Sequence, residues 1–150
     1  METIRIQTTW GTITLMLDGK KVIACDLPPL KTAPSKPFKG KLSNGWKNAD
    51  EFFQGLEEKF PNIGKPEGTD FQKSVWNAMR KIPRGQTRTY GELAAAIGRP
   101  NAVRAVGTAC GANPLPLFIP CHRVVAKNGL GGFGSGLPWK ILLLKTEGAL

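Results

Sequence analysis

The sequence predicts an α+β protein: a small N-terminal antiparallel-sheet domain, then a mostly helical, winged-helix-like C-terminal domain that carries a helix-turn-helix. Three observations lead to this prediction. The start of the chain has the strand-like alternation of apolar and polar side chains. After residue 68, two capping boxes that begin with Thr open segments with apolar residues at helical spacing. The stretch 61–68 (PNIGKPEG) separates the two patterns. We therefore predict two domains, 1–67 and 68–150, which a chain of 150 residues with 41% hydrophobic residues can support.

Three strands are predicted at the start of the chain. Residues 3–8 (TIRIQT) alternate as a half-buried strand does, and a turn at Trp10-Gly11 leads to a second run, ITLML. Asp18-Gly19 then connects this run to KVIACD, and Asp-Gly between two such runs is a strong hairpin signal. The pattern predicts a small antiparallel sheet.

A loop and a short helix are predicted to follow the sheet. Residues 28–47 are rich in Pro, Lys, Ser and Gly, a composition typical of loops. The segment NADEFFQGLEEKF has Asn48 as a cap and Glu51 three residues later, which predicts a helix. Its inward-facing residues are expected to be Phe52, Phe53, Leu56 and Phe60.

Helices dominate the second half. Thr69 and Gln72 have capping-box form, and Phe71, Val75, Met79 and Ile82 recur at helical spacing in the helix that they open. Thr89 and Glu92 form a second box, whose helix ends at Gly98. After a turn, NAVRAVGTACGA (101–112) predicts the next helix. Two short helices joined by a short turn in a basic segment indicate a helix-turn-helix.

The helix over 101–112 has two different faces. Projected at about 100° per residue, its apolar face holds Ala102, Val106, Ala109 and Cys110, with Val103 at the edge. The opposite face holds Arg104, Gly107, Thr108 and Gly111. It lacks the Asn, Gln and multiple Arg side chains that read base edges, so it is suited to close approach to DNA without sequence reading. The alternative is an ordinary helix pair with one solvated Arg.

The charge of the chain is unevenly distributed. The formal net charge is +10, and residues 1–67 carry ten Lys and Arg against eight Asp and Glu. Residues 68–150 carry eleven Lys and Arg against three acids. This segregation favours a polyanionic partner, most plausibly nucleic acid, over a merely basic and soluble surface.

Composition excludes several other classes. No apolar run approaches the roughly 20 residues that span a bilayer, and the start has no signal-peptide core, so we expect no membrane partner and a cytoplasmic location, nucleoid-associated if the source is prokaryotic. Three cysteines without CxxC spacing fit a reducing compartment better than a disulfide framework. With one histidine and scattered cysteines, we expect no metal and no cofactor.

The sequence IPCHRV (119–124) places the only histidine, His122, beside Cys121. Alone, Cys121 is more typical of a buried structural cysteine than of a nucleophile, although a nearby imidazole or cation lowers a thiol pKa. On an extended segment, neighbouring side chains point to opposite faces, so direct contact between Cys121 and His122 is not expected and a bridging water is needed.

PCHRV, preceded by NPLPLFI and by a helix carrying RAVG, closely resembles the O6-alkylguanine-DNA alkyltransferases (methylated-DNA–protein-cysteine methyltransferases). The resemblance covers residues 69–150 almost continuously, through DFQKSVWNAMRKIPRGQTRTYGELAAAIG and GLGGFGSGL, while the first 68 residues match more loosely. It implies single-turnover repair of double-stranded DNA, in which the protein irreversibly takes the alkyl group from O6-alkylguanine, with O4-alkylthymine as a second candidate substrate.

The resemblance also implies roles for individual residues. Cys121 is the expected acceptor, His122 acts on it through a water, and Glu147 orients the imidazole. Asn113 resembles the family's hinge asparagine, Tyr90 a tyrosine at the flanking phosphate that can protonate the leaving guanine, and Lys140 a lysine near the guanine pocket. Arg104 matches an arginine that fills the space of a nucleotide flipped out from the minor-groove side.

Further contacts are expected on the same grounds. The expected DNA-binding residues are Arg104, Tyr90, Gly91, Arg99, Thr108 and Lys127, and the expected substrate-pocket residues are Pro120, Val124, Phe133, Gly134 and Ser135. Phe133 departs from relatives that place a tyrosine hydroxyl at guanine O6. There the leaving oxygen is expected to rely on backbone N–H groups of residues 134–136.

We expect the protein to act as a monomer. Four hypotheses for its function follow from the sequence. The leading one is the alkyltransferase, and the alternative is a non-catalytic alkyltransferase-like protein that only binds the lesion. Such proteins replace the cysteine of PCHRV, whereas this chain retains Cys121. A helix-turn-helix transcription factor is disfavoured by the lack of base-reading side chains around Arg104. A cysteine hydrolase is disfavoured because Cys121 and His122 are adjacent.

Overall fold

The N-terminal strands form the predicted sheet in a computed structural model, which describes residues 1–32 and 49–150. Strands β1 (Glu2–Thr8), β2 (Gly11–Asp18) and β3 (Lys21–Asp26) pair antiparallel in the order β1-β2-β3. The hairpin at Asp18-Gly19 is confirmed. Gly19 has φ +62°, a left-handed conformation that this tight turn requires and that glycine adopts without steric cost.

Helix α1 (Ala49–Lys59) covers the sheet with aromatic side chains. Phe52, Phe53, Leu56 and Phe60 are buried, as predicted. Trp10, at the turn between the first two strands, stacks on Phe53 with ring centroids 5.4 Å apart. The predicted cap Asn48 and most of the predicted loop 28–47 lie outside the described residues.

Both predicted capping boxes are present. The Thr69 hydroxyl accepts the backbone N–H of Gln72 at 3.1 Å and opens α2 (Asp70–Arg80). The Thr89 hydroxyl accepts the N–H of Glu92 at 3.0 Å and opens α3 (Tyr90–Ala96). Each box satisfies backbone donors that the first turn of a helix leaves without partners. Two further helices follow, α4 (Val103–Gly111) and α5 (Leu137–Thr146).

Helix α4 presents the two faces that its sequence predicts. Val106, Ala109 and Cys110 are buried, and the Trp76 indole of α2 donates a hydrogen bond to the Ala109 carbonyl at 2.9 Å. Arg104 and Thr108 lie exposed on the other side. The apolar side of α4 is therefore fixed against α2, and its nearly smooth side is left for a partner.

A parallel pair of short strands links the helix-turn-helix to the segment around Cys121. Strand β4 (Arg88–Thr89) pairs with β5 (Val124–Val125), which directly follows a 3-10 turn at Cys121–Arg123. The sequence does not predict this pair, because each strand has only two residues and no alternation of its own. The pairing places the start of α3 beside Cys121.

The two predicted halves share one hydrophobic core. It contains Ile13, Leu15 and Val22 of the sheet together with Val75 and Met79 of α2 and Trp139 and Leu142 of α5. Hydrogen bonds also join the halves: Cys25 N–H donates to the Pro114 carbonyl at 3.1 Å, and the Trp139 indole donates to the Pro28 carbonyl at 2.6 Å. The α+β class is confirmed, and the boundaries 1–67 and 68–150 stay a prediction.

None of the helices within residues 1–32 and 49–150 combines the length and the apolar character that crossing a bilayer requires.

Candidate active site

Cys121 begins a 3-10 turn, whereas the sequence predicts an extended segment there. The cause is Pro120, whose φ of −79° and ψ of +67° make an inverse γ-turn, with Cys121 N–H bonded to the Ile119 carbonyl at 2.8 Å. The Arg123 N–H then bonds the Pro120 carbonyl at 3.0 Å. Successive side chains in a 3-10 turn diverge by about 120°, so Cys121 and His122 still point in different directions.

Asn113 closes the proline-rich loop that leads to Cys121. Its side-chain amide donates to the Ile119 carbonyl at 2.8 Å, and its carbonyl oxygen accepts the Leu115 N–H at 2.9 Å. Within this loop Leu117 has φ +76°, a conformation that costs free energy for any side chain larger than glycine. The buried side chains of the loop and the two bonds of Asn113 hold this strained backbone in place.

The Cys121 thiol is buried and protonated at neutral pH. Burial raises its pKa to about 11, although a hydrogen bond with Asn113 and the positive charge of Lys140 act in the opposite direction. A thiol reacts as the thiolate, so Cys121 needs a base that takes its proton during the reaction.

His122 is the candidate for such a base. Its ring nitrogen Nε2 lies 2.8 Å from Oε1 of Glu147. A carboxylate only accepts hydrogen bonds, so Nε2 carries the proton and Nδ1 is the free acceptor. Nδ1 is buried and has no hydrogen-bond partner among residues 1–32 and 49–150. Burial lowers the pKa of His122, and the hydrogen bond and charge of Glu147 partly offset this decrease. The imidazole is therefore neutral and free to accept a proton.

Glu147 lies at the C-terminal end of α5 and binds Arg123 as well as His122. The Arg123 guanidinium donates to both carboxylate oxygens, at 2.8 Å from Nη2 to Oε1 and 3.0 Å from Nε to Oε2. Burial alone would raise the pKa of Glu147, but the hydrogen bonds from His122 and Arg123 outweigh it and lower the pKa to about 2. The carboxylate is thus ionised throughout the neutral range.

Lys140 fixes the glycine-rich loop that faces Cys121. This fully buried side chain donates from Nζ to the Val124 carbonyl at 2.6 Å and to the Gly132 carbonyl at 2.9 Å. Burial lowers its pKa to about 8. The Tyr90 hydroxyl also reaches the Gly132 carbonyl, at 3.5 Å, and a Cβ on Gly131 would lie 2.6 Å from that hydroxyl. Only glycine fits at 131, where φ is +74°.

Two cavities meet at Cys121. The first has a volume of about 470 Å³ and is lined by Tyr90, Arg104, Gly107, Thr108, Cys110, Gly111, Cys121, Gly132, Phe133 and Gly134. The second, of about 340 Å³, also borders Cys121, Phe133 and Gly134, and it adds Asn113, Ser135 and residues of β3 that include Cys25. The first cavity opens along the smooth face of α4, so a ligand held there by α4 reaches the thiol.

Most of the predicted site residues therefore come together. Eight line neither cavity: His122, Glu147 and Lys140, whose contacts are given above, and five others. Pro120 and Val124 are buried behind the thiol, although the Val124 carbonyl binds Lys140. Gly91 lies in the first turn of α3, Lys127 is exposed after β5, and the Arg99 guanidinium lies 5.8 Å from the Phe71 ring.

Sequence reasoning assigned no chemical role to Arg123. Its side chain is buried and binds Glu147, and Nη1 also donates to the Ile82 carbonyl at 2.8 Å. The only signal in the sequence is that Arg123 directly follows His122, and this position does not distinguish a functional residue from a structural one. Sequence reasoning also missed Arg84, which approaches Glu147 from a turn, and Asp50 of α1, which forms an ion pair with Arg84.

Comparison with known proteins gives one consistent family. A family profile described as 6-O-methylguanine DNA methyltransferase, DNA binding domain, matches residues 70–149. A methylated-DNA–protein-cysteine methyltransferase of Methanosarcina acetivorans is 52% identical over 145 residues, covering 87% of this chain and 93% of the relative. A probable methylated-DNA–protein-cysteine methyltransferase of Acanthamoeba polyphaga mimivirus is 41% identical over 143 residues, covering 95% of this chain and 93% of the relative.

Solved structures agree with these relatives. The O6-methylguanine methyltransferase of Mycobacterium tuberculosis aligns with a TM-score of 0.74 and 33% identity, covering 99% of this chain and 93% of that one. The structure of Mycobacterium tuberculosis OGT in complex with DNA aligns with a TM-score of 0.70 and 31% identity, covering 98% of this chain and 93% of that one.

The lowered pKa of Glu147 predicts a pH-dependent contribution to stability. A carboxyl whose folded pKa lies below its unfolded value stabilises the fold above the unfolded pKa, and this contribution is lost as pH falls from 4.5 to about 2. We expect Glu147→Gln to lower the free energy of unfolding by on the order of 2–3 kcal/mol at neutral pH. The difference should shrink toward pH 2 in urea titrations followed by circular dichroism.

Glu58→Gln is the matched control for this experiment, because Glu58 is exposed on α1. Its stability difference from the wild type should be small at every pH. A gap between Glu147→Gln and the wild type that stays constant from neutral to acid pH would contradict the assignment of Glu147 as a buried, ionised carboxylate.

Proposed function

Because the chain belongs to the methylated-DNA–protein-cysteine methyltransferase family, we propose that Cys121 is the residue that accepts the alkyl group from O6-alkylguanine in double-stranded DNA. The family resemblance of residues 69–150 is confirmed, and with it a DNA repair activity that moves a methyl group from DNA to a protein cysteine. DNA is the partner, as in the DNA-bound relative. The choice of acceptor and the roles of its neighbours form the proposal.

The observation that carries the proposal is the buried Nδ1 of His122, which has no hydrogen-bond partner among the described residues. His122 directly follows Cys121, whose thiol borders both cavities. In the proposed step, Cys121 Sγ forms a bond to the alkyl carbon as the bond from that carbon to O6 breaks in line. The thiol proton passes through a water to Nδ1 of His122, and Glu147 stabilises the imidazolium. The thioether product has no leaving group for a reverse step, so each molecule acts once.

Guanine leaves as an anion and needs a proton. Burial raises the pKa of Tyr90, so its hydroxyl is protonated and can donate to the leaving base. Phe133 has no hydroxyl to offer at O6. Among residues 134–136, the Gly136 N–H already bonds the Phe133 carbonyl at 3.0 Å, which leaves the N–H groups of Gly134 and Ser135 as the donors to the leaving oxygen.

Cys121 is favoured over the other two cysteines by its neighbours. Cys25, Cys110 and Cys121 all border the second cavity, and all three are buried. The Cys110 thiol packs against the Met79 sulfur at 3.5 Å, and burial raises its pKa to about 12. Of the three cysteines, Cys121 alone adjoins His122 in the chain.

The smooth face of α4 fits a protein that extracts a base. The lesion lies within the base stack, so the nucleotide has to be turned out before Cys121 can reach it. Gly107 and Gly111 allow the backbone to approach the DNA, and Arg104 projects from the same face to fill the vacated space. In this proposal Gly91, Arg99, Thr108 and Lys127 contact the DNA backbone from the minor-groove side, and the protein acts as a monomer.

The second substrate and the location of the protein stay predictions. O4-alkylthymine is a second candidate substrate, and a cytoplasmic, nucleoid-associated location is the expected site of action in a prokaryote. The alternative of a non-catalytic lesion-binding protein is disfavoured because Cys121 is present and is followed in the chain by His122, whose Nδ1 has no partner among the described residues.

Intact-mass analysis tests the acceptor. After mixing with a duplex that contains O6-methylguanine, the wild type should gain one methyl group per molecule, which peptide mapping should locate on Cys121. Cys121→Ala should gain none, because the remaining thiols lack an adjacent base. Cys110→Ala and Cys25→Ala are the matched controls and should still be methylated. An unmodified wild type that binds the lesion would support the non-catalytic alternative instead.

Arg104 is tested by comparing two substrates. Arg104→Ala should slow methyl transfer from duplex DNA by about tenfold or more, because the flipped state loses the side chain that fills the gap. Reaction with free O6-benzylguanine needs no flipping and should stay near the wild-type rate. Arg99→Ala is a charge-matched control: it should weaken duplex binding, but at saturating concentrations its transfer rate from either substrate should stay near that of the wild type. Equal slowing of both substrates by Arg104→Ala would show that Arg104 does not act through flipping.

A further inference from the structure

Glu147 is approached from a third side by a cation that the proposed mechanism does not use. The Arg84 guanidinium, from the turn between α2 and β4, places Nη1 3.8 Å from Oε1 of Glu147, the same oxygen that binds His122. This distance is too long for a hydrogen bond but short enough for a strong charge interaction. Arg84 therefore competes with His122 for one carboxylate oxygen.

Asp50 binds Arg84 from the opposite side. Its carboxylate, in the first turn of α1, forms an ion pair with Nη2 of Arg84, and its other oxygen accepts a hydrogen bond from the Gln54 amide at 2.9 Å. The side chains become less exposed along the series, from 44% for Asp50 to 28% for Arg84 and 5% for Glu147. A surface acid of the N-terminal half is thus connected through Arg84 to the buried pair of the candidate site.

The backbone of the Arg84 turn packs against the Cys121–Arg123 turn and against the C-terminal end of α5. Arg123 donates to the Ile82 carbonyl at 2.8 Å, and a Cβ on Gly85 would lie 3.2 Å from the Glu147 carbonyl oxygen. The turn cannot move away from Glu147 without breaking these contacts. The direction of the Arg84 side chain then depends on which carboxylate holds it.

We propose that Asp50 is a positioning residue for alkyl transfer, which binds Arg84 and so keeps its guanidinium from displacing His122 on Glu147. This role rests on the proposed function of the His122–Glu147 pair. It gives the N-terminal half of the chain a part in the reaction, through one ion pair and not through contact with DNA or with the thiol.

The signs of the expected effects follow from the charges around His122. Glu147 stabilises the imidazolium, whereas Arg123 and Arg84 destabilise it and lower the pKa of His122. Asp50 and Glu57 are the acids that α1 adds to this group of charges. Removing the charge of Asp50 frees Arg84 to approach Glu147, so the pKa of His122 falls. Removing the charge of Arg84 has the opposite effect.

His122 is the only histidine in the chain, so its nuclear magnetic resonance titration needs no assignment among several rings. Over about pH 4 to 9, we expect Asp50→Asn to lower the His122 midpoint by about half a pH unit and Arg84→Gln to raise it by a similar amount. The double variant should match Arg84→Gln, because Asp50 acts only through Arg84. Glu58→Gln, an equal charge change on α1 outside this cluster, should leave the midpoint at the wild-type value.

The rate of methyl transfer gives the second readout. At neutral pH, Asp50→Asn should transfer about threefold more slowly than the wild type, because a less basic His122 accepts the thiol proton less readily. Arg84→Gln should be at least as fast as the wild type. A purely structural role for Asp50 would lower the melting temperature of Asp50→Asn without moving the His122 midpoint.

Three results would overturn the proposal: unchanged midpoints in both single variants, shifts of the same sign in both, or an Asp50→Asn shift that persists when Arg84 is absent. The titrations use the protein without DNA, so they judge the Asp50–Arg84 connection even if the wild type fails to take a methyl group. That failure would refute the proposed acceptor chemistry and leave the titration result standing.

Discussion

The arrangement of the candidate site depends on one buried carboxylate. Glu147, at the end of α5, accepts hydrogen bonds from His122 and Arg123 and so joins the turn that carries Cys121 to the last helix. The ionised form is maintained by these hydrogen bonds despite burial. Because the carboxylate fixes the proton of His122 on Nε2, the other ring nitrogen is left as a base on the side away from α5.

A second buried charge organises the opposite wall. Lys140 binds two backbone carbonyls, one beside β5 and one in the glycine-rich loop, so the loop that carries Phe133 lies at a fixed distance from the thiol. The two charges have different effects on the chemistry. Glu147 makes His122 a better base, and the positive charge of Lys140 favours the thiolate of Cys121. In the proposed step, both charges lower the free energy needed to move the proton from sulfur to the imidazole.

The sequence predicts features whose cause is local. The capping boxes at Thr69 and Thr89 and the two faces of α4 follow from residues within one or two turns of each other, and the resemblance around Cys121 identified His122 and Glu147. The 3-10 turn depends on the exact ψ of Pro120, and the β4–β5 pair has too few residues for a pattern. Arg84 and Asp50 are 34 positions apart, and only the packed structure brings their charges together beside Glu147.

In the proposed reaction, the buried thiol of Cys121 depends on Glu147 for its activation through His122. The most direct measurement is the single-turnover rate of methyl transfer from an O6-methylguanine duplex, compared between the wild type and Glu147→Gln at saturating protein. We predict a fall of about 100-fold or more for Glu147→Gln, with unchanged affinity for the duplex. A transfer rate equal to that of the wild type would contradict the account.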